Sequence, residues 1–502
     1  MKKKKQVENA GRQHESSHQE DSYNLNVENI PVNVQIVKEQ GKPTKVYKVG
    51  LLEVSGPTKI VIQKIKEEIV NEVSFNLLDK TEAEDESSIR AQFREKISAL
   101  MKEYFGNLDE KSLSMLTNFV VLTSLGFGEM EYLLKDPNLE EVVVNNAKEC
   151  VRVYHKKHGW LMTNIFVDTE RKVRHFATII ARETGKEFSI LEPLMDSHLA
   201  TGDRVNATLS PVTTKGNTIT IRKFAEKPWT ITDMIANKTI DIDTAAFLWQ
   251  AMHYELSLFI VGGTGSGKTS MLNVLTNFLP PNQRVISIED TREIQLPDSL
   301  HWVPMETRLP NQEGKGEVSM LDLMTNSLRM RPDRIIVGEI RRKKEAEVLF
   351  EAIHTGHSVY ATLHASDVDE TIARLTNPPI EIPKAILSSL DLMVVQNRNR
   401  RTGQRKTFQV AEMLPGGQPS ILFQLDMLTG KMKRAGKSVT IKKTLKIHAG
   451  LSESTIAKDL SDKIKVLKWV VKKGINDVNE IGNIMEEYYT ENTSLMKRIS
   501  GG

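Results

Sequence analysis

The spacing of apolar residues changes character along this chain, and those changes outline its organisation. Near the start, short alternating or β-branched runs such as Val32-Asn33-Val34-Gln35-Ile36-Val37 and Lys45-Val46-Tyr47-Lys48-Val49 predict strands between residues 25 and 59. Residues 58–73 and 87–104 then carry helical spacing, with a polar, acidic stretch around 81–88 between them. Strand patterns return over 139–168. A helix follows over 170–183, with Val173, Phe176, Ala177, Ile180 and Ala181 on one face and Gly185 placed to end it. Segments 204–209 and 218–223 flank Lys215-Gly216-Asn217 and predict a hairpin.

Past Ala225-Glu226-Lys227-Pro228-Trp229, a short polar segment interrupted by proline, the pattern becomes solid rather than alternating. Apolar runs at 256–261, 284–288, 335–337, 358–363 and 392–396 are separated by helical segments, which predicts a largely parallel, doubly wound sheet buried on both faces. Asp367-Val368-Asp369-Glu370 has the spacing of a capping box opening a helix through Arg374. Strands at 407–414 and 421–425 precede helical patterns at 459–473 and 476–489.

The first solid run leads into Gly262-Gly263-Thr264-Gly265-Ser266-Gly267-Lys268-Thr269-Ser270, after which a helix over 271–279 stops at Pro280-Pro281. A strand, a glycine loop matching G-x-x-x-x-G-K-[ST] and a helix start together make a phosphate-binding loop. Glycines let successive N–H groups turn toward phosphate oxygens, and the helix N-terminus adds its positive dipole end. Lys268 would reach the β- and γ-phosphates of ATP, and the Thr269 hydroxyl would help to hold Mg²⁺.

Three clusters follow, each at the end of a predicted strand: Glu289-Asp290-Thr291-Arg292-Glu293; Gly338-Glu339-Ile340-Arg341; and a histidine-rich segment from His354 to Ala365. Phosphoryl transfer to water needs a metal, a group that positions the attacking water, and cations for the transition state. Glu339 is the candidate for the water. Glu289 and Asp290 are candidates for the Mg²⁺ shell, partly through water. His357 and His364 flank one strand as candidate γ-phosphate sensors, with an ordinary satisfied polar role as the alternative.

Composition narrows the alternatives. A net charge of only +3 argues against nucleic-acid binding as the main activity. The single cysteine, Cys150, excludes an internal disulfide framework and a Cys-based zinc site, and reads as a small buried hydrophobe. No apolar run has the length to span a bilayer, so direct membrane insertion is not expected. The start, MKKKK followed by polar residues, reads as a solvated tail. The basic run from Gln396 to Lys406 fits either an acidic partner or a solvated hairpin loop.

Phosphate loop, acidic cluster, strand ending in Gly-Glu and histidine box, in this order, resemble the secretion and type IV pilus ATPase family over residues 137–391, including Gly202-Asp203-Arg204-Val205-Asn206-Ala207. Within it, Thr218-Ile219-Thr220-Ile221-Arg222-Lys223-Phe224 and Arg374-Leu375-Thr376-Asn377-Pro378-Pro379-Ile380 are similar to the archaeal branch, the archaellum motor and archaeal type IV pilus assembly ATPases. The resemblance implies an α/β fold: a RecA-like P-loop NTPase domain after an α+β, PAS-like N-terminal domain, with a helical C-terminal extension. The expected divisions are a tail at 1–24, an accessory subdomain at 25–110, the α+β domain at 111–224, a linker at 225–235, the ATPase domain at 236–430 and the extension at 431–502.

The resemblance also implies a homo-hexamer in which Arg204 and Arg222 approach the phosphates and Arg341 follows the catalytic Glu339. It implies a polytopic membrane platform protein as partner, which would keep the protein cytoplasmic but associated with the membrane. Two other readings remain: a nucleic-acid motor of conjugation or helicase type, and a scaffold that binds ATP with negligible hydrolysis.

Overall fold

The computed structural model describes residues 18–50, 55–76, 86–199, 201–224, 227–310 and 314–501. The chain divides into two compact units, Met1–Glu226 and Lys227–Gly502.

In the first unit, β1 (His18–Val27), β2 (Ile30–Lys38) and β3 (Val46–Gly50) precede the helices α1 (Gly56–Asn76), α2 (Glu86–Tyr104), α3 (Glu110–Leu125) and α4 (Met130–Leu134). After these come β4 (Leu139–Val144), β5 (Cys150–His155), β6 (Gly159–Phe166), α5 (Glu170–Glu183), β7 (Leu194–His198), β8 (Arg204–Thr208) and β9 (Thr218–Arg222). Strict alternation makes β2: Ile30, Val32, Val34 and Ile36 are buried while Pro31, Asn33 and Gln35 face out. It forms a hairpin with β1 through Glu28 and Asn29, both at positive φ (48° and 66°), the conformation that a two-residue turn requires.

The strand β1 therefore begins at His18, inside the stretch expected as a tail; residues 1–17 of that stretch lie outside the described residues. Nor does a boundary at residue 110 part the early strands from the later ones. β3 pairs in parallel with β6, giving one nine-stranded sheet in the order β1-β2-β3-β6-β5-β4-β9-β8-β7. The α5 face expected from the sequence is the buried one, with Thr169 as N-cap, and Cys150 is buried and free.

The second unit opens with α6 (Ile231–Ala236) and α7 (Ile242–His253), then alternates β10 (Leu258–Gly262), α8 (Lys268–Thr276), β11 (Arg284–Glu289), β12 (His301–Glu306), α9 (Met320–Ser327), β13 (Arg334–Val337), α10 (Lys343–His354), β14 (Ser358–Leu363) and α11 (Val368–Thr376). β15 (Leu392–Arg398), β16 (Arg405–Leu414), β17 (Gln418–Leu425) and β18 (Met432–Arg434) complete the sheet. The helices α12 (Thr440–His448), α13 (Glu453–Lys473), α14 (Val478–Thr490) and α15 (Asn492–Gly501) follow. The first two residues of the expected linker, 225 and 226, lie outside the described residues.

The sheet order is β12-β11-β13-β14-β10-β15-β16-β17-β18. From β12 to β15 neighbours are parallel; the last three strands add antiparallel. Every residue of β10, β13 and β14 is buried, as expected for strands covered on both faces. Alternate residues feed two cores: Leu258, Ile260 and Ile336 pack with α7, α8 and the C-terminal helices, while Phe259, Val261 and Val337 pack with α9, α10 and α11.

Asp367 caps α11 by accepting from the Glu370 amide, but the Glu370 carboxylate reaches Ser366 rather than Asp367. The expected capping box is thus half formed.

A buried ionic cluster clamps α13 and α14 to α7, the helix before the phosphate-loop strand. Lys463, fully buried, is paired with Asp459, donates to Tyr488 Oη at 3.3 Å, and stands over the ring of Trp249. Gln250 Nε2 donates to the other Asp459 oxygen at 2.7 Å. Burial pulls the Lys463 amine down to about 8, with Asp459 opposing that shift. Removing one partner of such a pair strands a charge in the core. Asp459→Ala is therefore expected to destabilise the second unit by roughly 3–5 kcal/mol, read as a lowered midpoint in denaturant unfolding, with Asp459→Asn milder.

Candidate functional site

Parallel register brings the motif residues to one edge. Val261 lies beside Leu363, Gly262 beside Gln396, Val337 beside Ala361, and Ile288 beside Val337. The next residues, the phosphate loop, His364, Gly338-Glu339 and Glu289-Asp290, therefore all leave the sheet at its carboxyl edge. Strand β14 is inserted between the loop strand β10 and the acid-bearing strand β13.

The loop between β10 and α8 needs its glycines. Gly265 and Gly267 are left-handed, at φ 69° and 90°. A Cβ on Gly262 would fall on the Ser266 hydroxyl and within 2.5 Å of the Gln396 carbonyl oxygen. Ser266 is buried, and its hydroxyl has no hydrogen-bond partner. Thr269 and Ser270 are half-buried in the first turn of α8, with Gly267 as N-cap. Gly263 and Thr264 are exposed at the mouth.

A chain of charged contacts crosses the edge. The Lys268 amine stands 3.4 Å from the Gly263 carbonyl oxygen and 3.3–3.4 Å from the two ring nitrogens of His364. His364 Nε2 is 3.1 Å from Glu339 Oε1. Arg341 donates to Glu339 Oε2 at 2.7 Å and to Asp290 Oδ2 at 2.8 Å. Burial, then the neighbouring Lys268 charge, push the His364 pKa down, which favours a neutral ring. A neutral ring can donate from Nε2 to Glu339 while Nδ1 faces the lysine. The Thr362 hydroxyl donates to the Gly338 carbonyl at 2.5 Å, tying the Gly-Glu turn to β14.

Glu289 differs from the other carboxylates. It is almost fully buried; Oε1 accepts from the Glu293 and Ile294 amides at 2.9 and 3.1 Å, and Oε2 has no partner. Burial pushes its pKa up to about 7 against those two hydrogen bonds. The unpartnered Glu289 oxygen and the Thr269 hydroxyl leave the same sheet edge and are donor types that fit Mg²⁺, which takes one or two carboxylates and substrate phosphates, with β13 and β14 lying between β11 and the loop strand β10. Among the described residues no group of three or more histidines, cysteines or acids forms a self-sufficient metal cage.

Two other sequence candidates stand elsewhere. His357 precedes β14, at the amino end of the strand whose carboxyl end delivers His364. Seven residues of extended chain put it roughly 23 Å away, and its Nδ1 faces the Ala352 carbonyl and the Thr355 hydroxyl. Arg204 and Arg222 belong to the first unit, where they lie directly opposite one another on β8 and β9. Asp196 is 3.9 Å from Arg204. Like charges facing across a strand pair are unfavourable, and here Glu141, opposite Arg222 on β4, offsets the second arginine as Asp196 does the first.

Sequence reasoning missed Arg398 and Arg405. It assigned their basic run to a partner or to solvent, yet Arg405 Nε donates to the Gly265 carbonyl at 2.9 Å. The only local signal was that the run follows the strand after the histidine box; that this strand lies next to β10 is a long-range fact.

A family model described as type II/IV secretion system protein matches residues 136–419, more than half of the chain. An uncharacterised protein of Methanocaldococcus jannaschii is 39% identical over 344 residues, covering 67% of this chain and 46% of that one. A second uncharacterised protein of the same organism is 32% identical over 377 residues, covering 73% and 68%. A putative conjugal transfer protein of Mycobacterium tuberculosis is 33% identical over 271 residues, covering 52% and 76%. The chain thus spans just under half the length of the first of these relatives.

The Glu289 environment predicts a pH signature. Its folded pKa, about 7, lies above the ordinary 4.5, so the folded protein holds this proton more tightly than the unfolded chain does. The resulting stabilisation is present below pH 4.5 and lost as pH rises through 7. Glu289→Gln, which cannot ionise, should therefore gain stability relative to the parent between pH 5 and pH 8, by about 3 kcal/mol from a shift of that size. Paired melting curves in the presence of a chelator measure it; a pH-independent difference would contradict the assignment.

Proposed function

The chain belongs to the type II/IV secretion system protein family, and from that premise we propose that it is a ring-forming ATPase. In this reading it hydrolyses ATP to ADP and phosphate to power assembly or rotation of an archaeal surface filament, archaellum or type IV pilus. The observation that carries the reading is the continuous line of contacts from Lys268 through His364 and Glu339 to Arg341 and Asp290, beside a glycine loop. The M. jannaschii relatives support the archaeal assignment. In domain terms the second unit is a RecA-like ATPase domain with a helical extension, and the first carries the PAS-like part.

In this mechanism the loop amides of Gly262 to Ser270 and the Lys268 amine hold the phosphates. Thr269 and, through water, Glu289 and Asp290 would hold Mg²⁺, which neutralises charge on the β- and γ-phosphates. Glu339 orients the attacking water once one of its oxygens exchanges a present partner for it. His364 senses the γ-phosphate from its place between Lys268 and Glu339, and Arg341 steadies Glu339 and transition-state charge. Arg204 and Arg222 supply fixed positive charge from the N-terminal domain of an adjacent subunit in a hexamer. His357 is left without a role at this edge.

Force would pass to a polytopic membrane platform protein, which would bring a cytoplasmic ring to the membrane. Among the described residues no helix is long and apolar enough to cross a membrane. A second reading, a conjugation-type ATPase acting on DNA, is supported by the conjugal transfer protein among the relatives.

Glu339→Gln keeps the shape and one acceptor oxygen, and so one of the two contacts to His364 and Arg341, but removes the carboxylate charge. Steady-state turnover with Mg²⁺ should fall by roughly 10²–10⁴-fold, while ATP binding persists. Near-normal hydrolysis would refute the role of Glu339. Negligible hydrolysis by the parent itself would favour the scaffold reading. Stimulation of the parent by single-stranded DNA that disappears at raised salt would favour the conjugation-type reading.

A further inference from the structure

The turn between β15 and β16 carries Arg398 at its start, Arg400 and Arg401 at its exposed tip, and Arg405 at its end. Strand β15 pairs with β10 on the side away from β14, so this turn leaves the sheet directly beside the phosphate loop. Its two half-buried arginines close on one residue. Arg405 Nε donates to the Gly265 carbonyl at 2.9 Å, and an Nη of Arg398 stands 2.8 Å from where a Cβ on Gly265 would be. The Arg405 stem lies 3.5 Å from the corresponding point on Gly267. The left-handed glycines thus also make room for two guanidiniums.

The Gly265–Ser266 peptide is held at both ends, its carbonyl by Arg405 and its N–H by donation to the Gly263 carbonyl at 3.2 Å. Because a peptide is planar, fixing both ends fixes the curvature of the loop there. Two cations brought to one residue also raise the positive potential at the mouth, on the flank opposite His364.

We propose that the β15–β16 turn is a cationic lip of the nucleotide site, in which Arg405 positions the phosphate loop through the Gly265 carbonyl and Arg398 meets the polyphosphate of a nucleoside di- or triphosphate. The proposal rests on the reading of Gly262 to Thr269 as the nucleotide loop. A guanidinium suits the task because its charge is fixed and its fork matches phosphate oxygens. The lip answers to the polyphosphate, so it separates ATP and ADP from AMP.

The test uses the full chain with Mg²⁺ and a fluorescent ATP analogue displaced by ATP, ADP or AMP. Arg398→Gln should weaken ATP and ADP about tenfold, as expected for loss of one charge-assisted hydrogen bond, and leave AMP within about twofold of the parent. Arg405→Gln should raise KM for ATP about tenfold with kcat held within about threefold, and Arg405→Lys should recover most of the loss. Arg400→Gln, at the turn tip, should behave as the parent, and unchanged melting temperatures verify folding.

ATP affinity within about twofold of the parent for both glutamine variants overturns the lip, as does an equal loss for ATP and AMP. Lys268→Ala separates the two layers. If it loses ATP while the arginine variants do not, the lip alone fails. If it binds ATP as the parent does, the nucleotide-loop reading fails and takes the lip with it.

Discussion

Charge withdrawn from water at the carboxyl edge of a buried parallel sheet must be paired, and the arrangement of this second unit depends on that requirement. Lys268 is buried at the start of α8, where an unpaired ammonium would be costly. The neutral His364 ring beside it passes the demand to Glu339, and Arg341 passes it on to Asp290. The links sit on four strand ends, Glu339 and Arg341 sharing that of β13, so the line exists only while β10, β14, β13 and β11 keep their register. A slip of one residue in any of them would turn a link to the other face.

Register in turn depends on packing at a distance. The strands that deliver the loop, His364 and Glu339 have no exposed residue, and they are fixed by two cores on opposite faces. One core is closed by α13 and α14, joined to α7 through buried Lys463 and Asp459. A buried ion pair contributes little net stability against an apolar substitute, but it discriminates strongly between correct and shifted packing when one partner would be stranded. The C-terminal helices therefore bear on the site through α7, which they hold and which leads directly into β10.

Local chemistry was legible in the sequence, and long-range adjacency was not. The phosphate loop was readable because strand, glycines and helix start are contiguous in the chain. The solid apolar runs of β10, β11, β13 and β14 were readable because burial on both faces erases alternation. His357 and His364 looked equivalent because seven residues is a short distance in sequence; in an extended strand it is the whole depth of the sheet. Glu28 and Asn29 hide a tight turn without glycine, so β1 merged with the polar tail before it. Arg398 and Arg405 read as a solvated run because nothing local reveals that β15 borders β10.

The same physical scale separates the carboxylates by role. Glu289 is held by two amides in a site that opposes its charge, and moving it would mean remaking buried hydrogen bonds; a pKa near 7 corresponds to about 3 kcal/mol of opposition to the ionised form. Glu339 also has both oxygens engaged, but its partner Arg341 is 58% exposed, and an exposed ion pair contributes only about 0–1 kcal/mol. Exchanging Arg341 for a water on Glu339 is therefore inexpensive, whereas the same exchange at Glu289 is not. Of the two, Glu339 is the carboxylate that can change partners at little cost, and Glu289 the one that stays in place with one oxygen unpartnered.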